Sequence, residues 1–240
     1  MYMKKFFLFI LLVTFPLLAM TQASGGQIRR QNERTSSHRN VVKISGPDGY
    51  VNGHGYVDLG LPSGTKWATC NVGADSPSGW GNYYAWGETQ IKSDYSWTTY
   101  FDSKDQNGTE FYTYYIGARG SDSISSTSGN DVAKVIWGGA WRMPTEELKE
   151  LLSKCNWKYT NLNKVNGYKI TGPSGKSIFL PCAGRYSGTK LDYQGSFGTY
   201  WSSTLIFNES AAALNFYWRY NNTGGGCYRC DGCPVRPVTD

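Results

Sequence analysis

Short strand patterns, separated by turns that contain glycine and proline, run through the chain from residue 56 to residue 238. The turn Gly172-Pro173-Ser174-Gly175 joins two of them and predicts a tight hairpin. The region is rich in Trp, Tyr, Ser and Thr and poor in Leu and charge, a composition that favours short strands joined by long loops. The predicted strands cover residues 56–59, 66–70, 165–171, 177–180, 199–204, 211–218 and 234–238.

Helix signals are confined to two short segments. Asp131 can cap a helix that runs through Ile136. Thr145 can cap a clearer second helix, because Pro144 ends the preceding segment and two glutamates occupy the positive first turn. The apolar face of the second helix consists of Leu148, Leu151, Leu152 and Cys155. Cys155 is therefore expected to point into the core, either as a packed thiol or as half of a disulfide.

The strand predicted at 211–218 alternates between two faces. Leu214, Phe216 and Trp218 fall on one face, which is expected to meet the core, while Ala213, Asn215 and Tyr217 fall on the other. A second aromatic segment contains Trp80, Tyr83, Tyr84 and Trp86 and is interpreted as core, with an exposed aromatic platform as the alternative. A polar, tyrosine-rich stretch up to Gly129 lacks periodicity and is long for a loop, so it is expected to be functional or disordered.

The first 23 residues have the features of a secretory signal peptide. Lys4 and Lys5 form the positive region, residues 6–19 the apolar core, and residues 21–23 a small-residue cleavage site. The apolar run is short for a membrane span of roughly 20 residues, and no later segment approaches that length. The sequence therefore predicts a protein that is secreted or held in the cell envelope, without a transmembrane segment in the mature chain.

Residues 24–52 are predicted to be a polar basic linker, followed by one folded domain over residues 53–240. The chain has 24 basic and 18 acidic residues, and much of the excess lies in this linker. The linker charges are Arg29, Arg30, Arg34, Arg39, Lys43, Glu33 and Asp48. Because a nucleic-acid partner normally requires a basic face on the folded part, none is expected here. Attraction of the linker to an acidic surface polymer is the alternative.

The chain has six cysteines, and an exported protein meets an oxidising compartment, so disulfides are expected. The candidates are Cys70, Cys155, Cys182, Cys227, Cys230 and Cys233. Sequence does not select among the possible pairings, although Cys70 is a candidate partner for Cys155. The run from Cys227 to Cys233 also resembles a zinc or iron-sulfur motif, but a structural zinc site needs a fourth ligand and both histidines lie far away in sequence. No metal site is predicted.

Four strings occur in a fixed order towards the C-terminus: GGAWRMPTEEL from Gly138, IFLPCAGR from Ile178, GTYWSST from Gly198 and CPVRPV from Cys233. With YVDLGLPSGTKWATCNVGA from Tyr56, they resemble the Fibrobacter succinogenes major paralogous domain of secreted proteins from gut Bacteroidota and relatives. The resemblance covers the chain from about residue 56 to its end. It implies an α+β, C-type lectin-like fold, in which small antiparallel sheets are flanked by two short helices with long loops. Trp141, Arg142, Trp201 and Arg236 lie inside the strings and are expected to be structural.

The resemblance also implies a place for ligand binding, since residues 184–198 correspond to the long variable loop that carries binding in lectin-like folds. The candidate ligand residues are Arg185, Tyr186, Asp192 and Tyr193, with Asn208, Asn221 and Asn222 as weaker additions. The calcium-binding strings of C-type lectins are absent, and Trp201-Ser202-Ser203 occupies the matching strand. Stacking of sugars on aromatic rings is therefore expected, with a glycan or a cell-surface protein as partner and no cofactor.

Two other function classes stay open from the sequence. A structural or adhesive subunit of a surface assembly would use the basic linker for attachment. An enzyme of the formylglycine-generating type would use Cys227, Cys230 and Cys233 as redox or copper-binding thiols. A glycosidase would need two carboxylates that can be distant in sequence. Hydrolase and phosphate-binding motifs are absent from the sequence, so a non-enzymatic binding module is the favoured prediction.

Overall fold

The structure, a computed structural model, describes residues 42–101, 124–207, 209–222 and 225–240. Within these ranges the chain forms small antiparallel sheets and two short helices, which makes the fold α+β with mainly β content. This confirms the coarse fold class that the sequence predicts. The predicted signal peptide, most of the predicted linker and Asn208 lie outside the described residues.

One sheet joins the start of the domain to its end. Its strands are β1 (Gly49–Val51), β2 (His54–Val57), β3 (Lys66–Ala68) and β13 (Val238–Thr239), in that order across the sheet. β1 pairs with β2, so residues 49–51, which the sequence placed in the linker, take part in this sheet. The strand predicted at 234–238 is wrong, since only its last residue lies in β13. Pro234 and Pro237 lack the amide hydrogen that a strand would donate.

The two helices are α1 (Val132–Trp137) and α2 (Glu147–Lys154). Asp131 caps α1 as predicted, since its side chain accepts a hydrogen bond from the Lys134 amide. The predicted cap at Thr145 is wrong. Its hydroxyl donates to the carboxylate of Glu147 instead, and Glu146 occupies the capping position without a side-chain bond.

A three-stranded sheet follows α2. Its strands are β4 (Asn156–Leu162), β5 (Val165–Thr171) and β6 (Ser177–Pro181), in that order. The predicted hairpin is confirmed as β5 and β6, whereas β4 is a strand that was not predicted from the sequence. Trp157 packs from β4 against the core, and Asn156 and Lys158 on either side of it are exposed, so the alternation of a half-buried strand is present in the sequence.

The remaining strands form a short hairpin and a larger sheet. The hairpin consists of β7 (Arg185–Ser187) and β8 (Lys190–Asp192), and the sheet of β9 (Phe197–Phe207), β10 (Ser210–Tyr217), β11 (Tyr220–Asn222) and β12 (Gly226–Tyr228). Strand β10 is central, because it pairs with β9 on one side and with β11 and β12 on the other.

The predicted faces of β10 are confirmed in part. Leu214 and Phe216 are fully buried on one face, while Asn215 and Tyr217 lie on the other. The prediction for Trp218 is wrong, because the strand ends at Tyr217 and Trp218 is 57% exposed in the turn to β11. Ala213 lies on the face opposite Leu214 but is buried, since a second core cluster covers that part of the strand.

Two hydrophobic clusters form the core. The first contains Phe216, Tyr168 and Leu151, together with partly buried residues that include Cys155, so the predicted inward direction of Cys155 is confirmed. The second is built around Trp86, Trp141 and Trp201. Tyr83, Tyr84 and Trp86 are buried as predicted, but Trp80 is 37% exposed. Tyr95 and Tyr100, near the start of the tyrosine-rich stretch, are also buried, while residues 102–123 of that stretch lie outside the described residues.

Arg236 holds three parts of the core together. The fully buried guanidinium donates to the Asn71 side chain at 2.8 Å and to the carbonyls of Ala68, Thr69 and Phe179 at 3.0 to 3.1 Å. Burial lowers its pKa. These bonds satisfy the buried cation, and they confirm the structural role predicted for Arg236.

Candidate ligand-binding cleft

Three aromatic rings form a ladder across neighbouring strands β9, β10 and β11. Tyr217 lies opposite Phe197 in the β9–β10 register and opposite Tyr220 in the β10–β11 register. The Phe197 and Tyr217 rings stack with centroids 5.7 Å apart, and those of Tyr217 and Tyr220 with centroids 4.9 Å apart. Directly opposed side chains on one sheet face lie close enough for such pairs, so the register itself builds the ladder.

The ladder faces outward because of the strand alternation. Phe216 points to the opposite face, where it is fully buried and stacks on Tyr200 at 5.7 Å. With that face fixed in the core, Tyr217 must point away from it and is 45% exposed, and Tyr220 is 41% exposed. The exposed rings thus follow from the burial of their neighbours.

The ladder borders a cleft of about 660 Å³. This volume lies within the range of about 300–1,000 Å³ found for small-molecule sites. Tyr193, which is 64% exposed, adds a fourth ring, 6.2 Å from Phe197 and tilted against it. The lining residues are Arg185, Tyr193, Phe197, Asn215, Tyr217, Tyr220 and Gly226. A second depression of about 260 Å³ shares Arg185 and Gly226 with the cleft and reaches Tyr228.

Arg185 brings a positive charge to the cleft. Its Nη1 donates to Sγ of Cys227 at 3.2 Å and lies 3.6 Å from a carboxylate oxygen of Asp231. Burial alone would lower the pKa of Arg185, but Cys227 and Asp231 outweigh that effect and raise it. Burial is also the largest cause of the raised pKa of Asp231. Arg185 therefore remains a cation. Its Nη1 is held by Cys227 and Asp231, and 34% of its side chain is exposed.

Asn215 supplies an amide to the lining. Its Nδ2 donates to the carbonyl oxygens of Gly225 at 3.2 Å and Ala213 at 3.4 Å. These bonds orient the side chain and, among the described residues, leave its oxygen without a hydrogen-bond donor. A hydroxyl group in the cleft could donate to that oxygen.

The ligand residues predicted in the loop at 184–198 do not all lie in the cleft. Arg185 and Tyr193 line the cleft, as a shared site would require. Tyr186 does not, because successive side chains of β7 point to opposite sides. Its ring packs on Tyr83 at 5.0 Å and on Tyr95 at 5.2 Å, which makes it a core contact.

The other predicted ligand residues lie elsewhere or are not described. Asp192 pairs with Arg185 in the β7–β8 register, but its carboxylate binds Lys190 at 2.7 Å and is absent from the lining. Asn221 belongs to β11 and is half-buried, and Asn222 is the last residue of that strand. Asn208 lies outside the described residues.

Besides Gly226, four lining residues were not predicted from the sequence: Phe197, Asn215, Tyr217 and Tyr220. A signal for two of them was present, since Asn215 and Tyr217 alternate with the buried residues of β10. Finding the other two requires knowledge of which strands flank β10. Pairing between strands is a tertiary property that local patterns leave open.

The six cysteines carry free thiols in the structure, so Cys155 is there as a packed thiol, one of the two alternatives that the sequence leaves open for it. Burial raises the pKa of Cys155 to about 11, of Cys182 to about 11 and of Cys230 to about 12. These three thiols stay protonated near neutral pH and are poor nucleophiles.

In the described ranges, His, Cys, Asp and Glu side chains do not gather in groups of three or more that could hold a metal ion. The same ranges contain no helix with the length and apolar character needed to span a membrane.

Comparison with known proteins gives no relative for this chain. The sequence matches no model of a protein family, and neither a curated protein nor a solved structure is significantly similar to it.

Proposed function

We propose that this protein is an exported carbohydrate-binding module of the C-type lectin-like class, related to the Fibrobacter succinogenes major paralogous domain. It acts without catalysis and binds a glycan at the cell envelope. The ladder of Phe197, Tyr217 and Tyr220 beside an anchored arginine is the observation that supports this proposal most strongly.

The cleft combines the two contacts that sugars require. Pyranose rings have apolar faces that pack on aromatic rings, and two of the ladder rings keep more than a third of their surface accessible. Sugar hydroxyls need donors and acceptors at the edges of the ring, which Arg185 and Asn215 provide. A few polar groups among aromatic rings are typical of pockets that bind small molecules.

The lining favours binding over hydrolysis. Glycoside hydrolases of the common type place two carboxyl groups on either side of the scissile bond. The lining residues described for the cleft include no aspartate or glutamate. The nearby Asp231 is buried, where its carboxylate forms an ion pair with Arg185 and accepts a hydrogen bond from Sγ of Cys227. The buried Cys230, with its raised pKa, also gives little support to a thiol enzyme.

A glycan array with the purified full chain tests the proposal, run once with calcium and once with chelator. We expect binding to a defined class of sugars that persists with chelator, because the described lining offers aromatic rings and includes no acidic side chain. Loss of all binding on chelation would contradict stacking as the mode of recognition. If no glycan on the array binds and a protein cross-links to the ladder residues, the cleft binds a protein instead of a glycan.

A further inference from the structure

Cys227 and Cys233 lie close together, and Cys227 directly follows Gly226, which lines the cleft. The Sγ atoms of Cys227 and Cys233 lie 3.7 Å apart, and both side chains are buried, with 2% and 0% of their surface exposed. A disulfide requires a sulfur separation of about 2.05 Å, so the two side chains must rotate towards each other to form one. Both residues belong to the same hydrophobic cluster, which keeps them facing each other.

The backbone of the connecting loop is held at both ends. Cys227 lies in β12, opposite Ala211 of β10. Cys233 exchanges two hydrogen bonds with Tyr84, each 3.0 Å long. Between them the chain turns through a bond from the Asp231 amide to the Tyr228 carbonyl. The proximity of the two thiols is thus a property of the folded backbone.

Cys230 lies between these residues in sequence but not in space. It belongs to the first core cluster, whereas Cys227 and Cys233 belong to the second. The middle cysteine of the run therefore points to the other side of the loop. This separation selects one pairing within the run, which the sequence leaves open.

We propose that Cys227 and Cys233 form a disulfide when the protein meets a thiol–disulfide oxidant. The thiolate of one cysteine attacks the oxidant disulfide and releases one thiol, and the thiolate of the second then displaces the other. Two protein thiols lose two electrons and two protons, and the oxidant is reduced to two thiols. Since both sulfurs are buried in the folded domain, the oxidant reaches the first thiol when the loop opens, and the return of the loop to its folded position brings the second sulfur to the first. It then ties β12, whose Gly226 lines the cleft, to the segment that pairs with Tyr84.

Peptide mapping of the full chain tests the pairing without any ligand. The protein is oxidised with glutathione disulfide, and free thiols are blocked with N-ethylmaleimide under denaturing conditions. Cleavage after Arg229 and before Asp231 separates Cys227, Cys230 and Cys233 into three fragments. We expect a linked pair of peptides that carries Cys227 and Cys233 and disappears on reduction. Maleimide on both residues, or a link from either one to another cysteine, would overturn the proposal.

A stability measurement gives a second readout. Reduction should lower the melting temperature of the oxidised protein by roughly 5 °C, since a short loop closed by a disulfide gives a modest stabilisation. The double variant Cys227→Ala/Cys233→Ala should lose this response to reductant. The matched variant Cys70→Ala/Cys155→Ala should keep it. If the fall in melting temperature on reduction disappears in Cys70→Ala/Cys155→Ala instead, the disulfide involves Cys70 or Cys155 and the proposed pairing is wrong.

Discussion

Tyr217 lies directly opposite Phe197 across the β9–β10 pair, and the two rings stack with their planes only 17° apart. The same strand buries Phe216 completely on its other side. A slip of the register by one residue would exchange these faces, so core packing and the ligand surface are specified together. The proposed site is therefore a consequence of how β10 packs.

Two tyrosines from the same hairpin region should behave differently when truncated. Tyr193→Ala should weaken glycan binding while the melting temperature barely changes, because its ring is exposed in the cleft. Tyr186→Ala should lower the free energy of unfolding by about 2 kcal/mol, because its ring packs on Tyr83 and Tyr95. Titration calorimetry and urea unfolding separate the two effects. Equal effects of both variants on binding would contradict the assignment.

Replacing Arg236 should destabilise the domain severely. Arg236→Met leaves the Asn71 side-chain oxygen and three carbonyls, two of them buried, without this donor, which should cost on the order of 4 kcal/mol. The exposed Arg219 offers a control, and Arg219→Met should change stability by about 0.5 kcal/mol or less. Urea unfolding measures both. A mild effect at Arg236 would show that these bonds contribute little to stability.

Asp131 connects α1 to the segment before α2. Its carboxylate accepts from the Lys134 amide at 3.1 Å and from the Met143 amide at 2.9 Å, and the residue is 1% exposed. Asp131→Ala should lower the free energy of unfolding by about 2 kcal/mol. Asp131→Asn keeps one acceptor oxygen and should lose less. The proposed connection is incorrect if both variants unfold at the wild-type urea concentration.

His54 should make stability depend on pH. It stacks on Trp137 at 3.9 Å, and burial lowers its pKa below the usual value of 6.5. The folded state therefore binds fewer protons than the unfolded state, so the contribution to stability is full above 6.5 and is lost as the pH falls through the folded pKa. In urea unfolding between about pH 5 and pH 8, His54→Gln should show a smaller loss of stability on acidification than wild type. Identical pH dependence would rule out His54 as the cause.

Local patterns in the sequence predicted several parts of the fold correctly. The hairpin of β5 and β6, the cap at Asp131 and the alternation of Leu214 and Phe216 depend on neighbouring residues alone. The end of β10 at Tyr217 could not be predicted from the sequence. Arg219 adopts a positive φ of 69° in the turn, although the usual Asn-Gly signal of such turns is absent.

The candidate site was harder to predict than the fold. Arg185 and Tyr193, which were predicted from the position of their loop, line the cleft, whereas Tyr186 does not, and β7, with only three residues, is too short for periodicity to indicate the direction of that side chain. Its direction depends on contacts with Tyr83 and Tyr95, which are distant in sequence. The ladder requires three strands to pair in one register, and this information is not local.

The most direct test is a calorimetric titration of the best glycan from the array into the wild-type protein, Tyr217→Ala and Tyr50→Ala. Tyr217 is the middle ring of the ladder, while Tyr50 is an exposed tyrosine of β1 that does not line the cleft. We predict that Tyr217→Ala weakens binding about tenfold and that Tyr50→Ala binds like wild type. Unchanged affinity of a folded Tyr217→Ala protein would contradict glycan binding by the aromatic ladder.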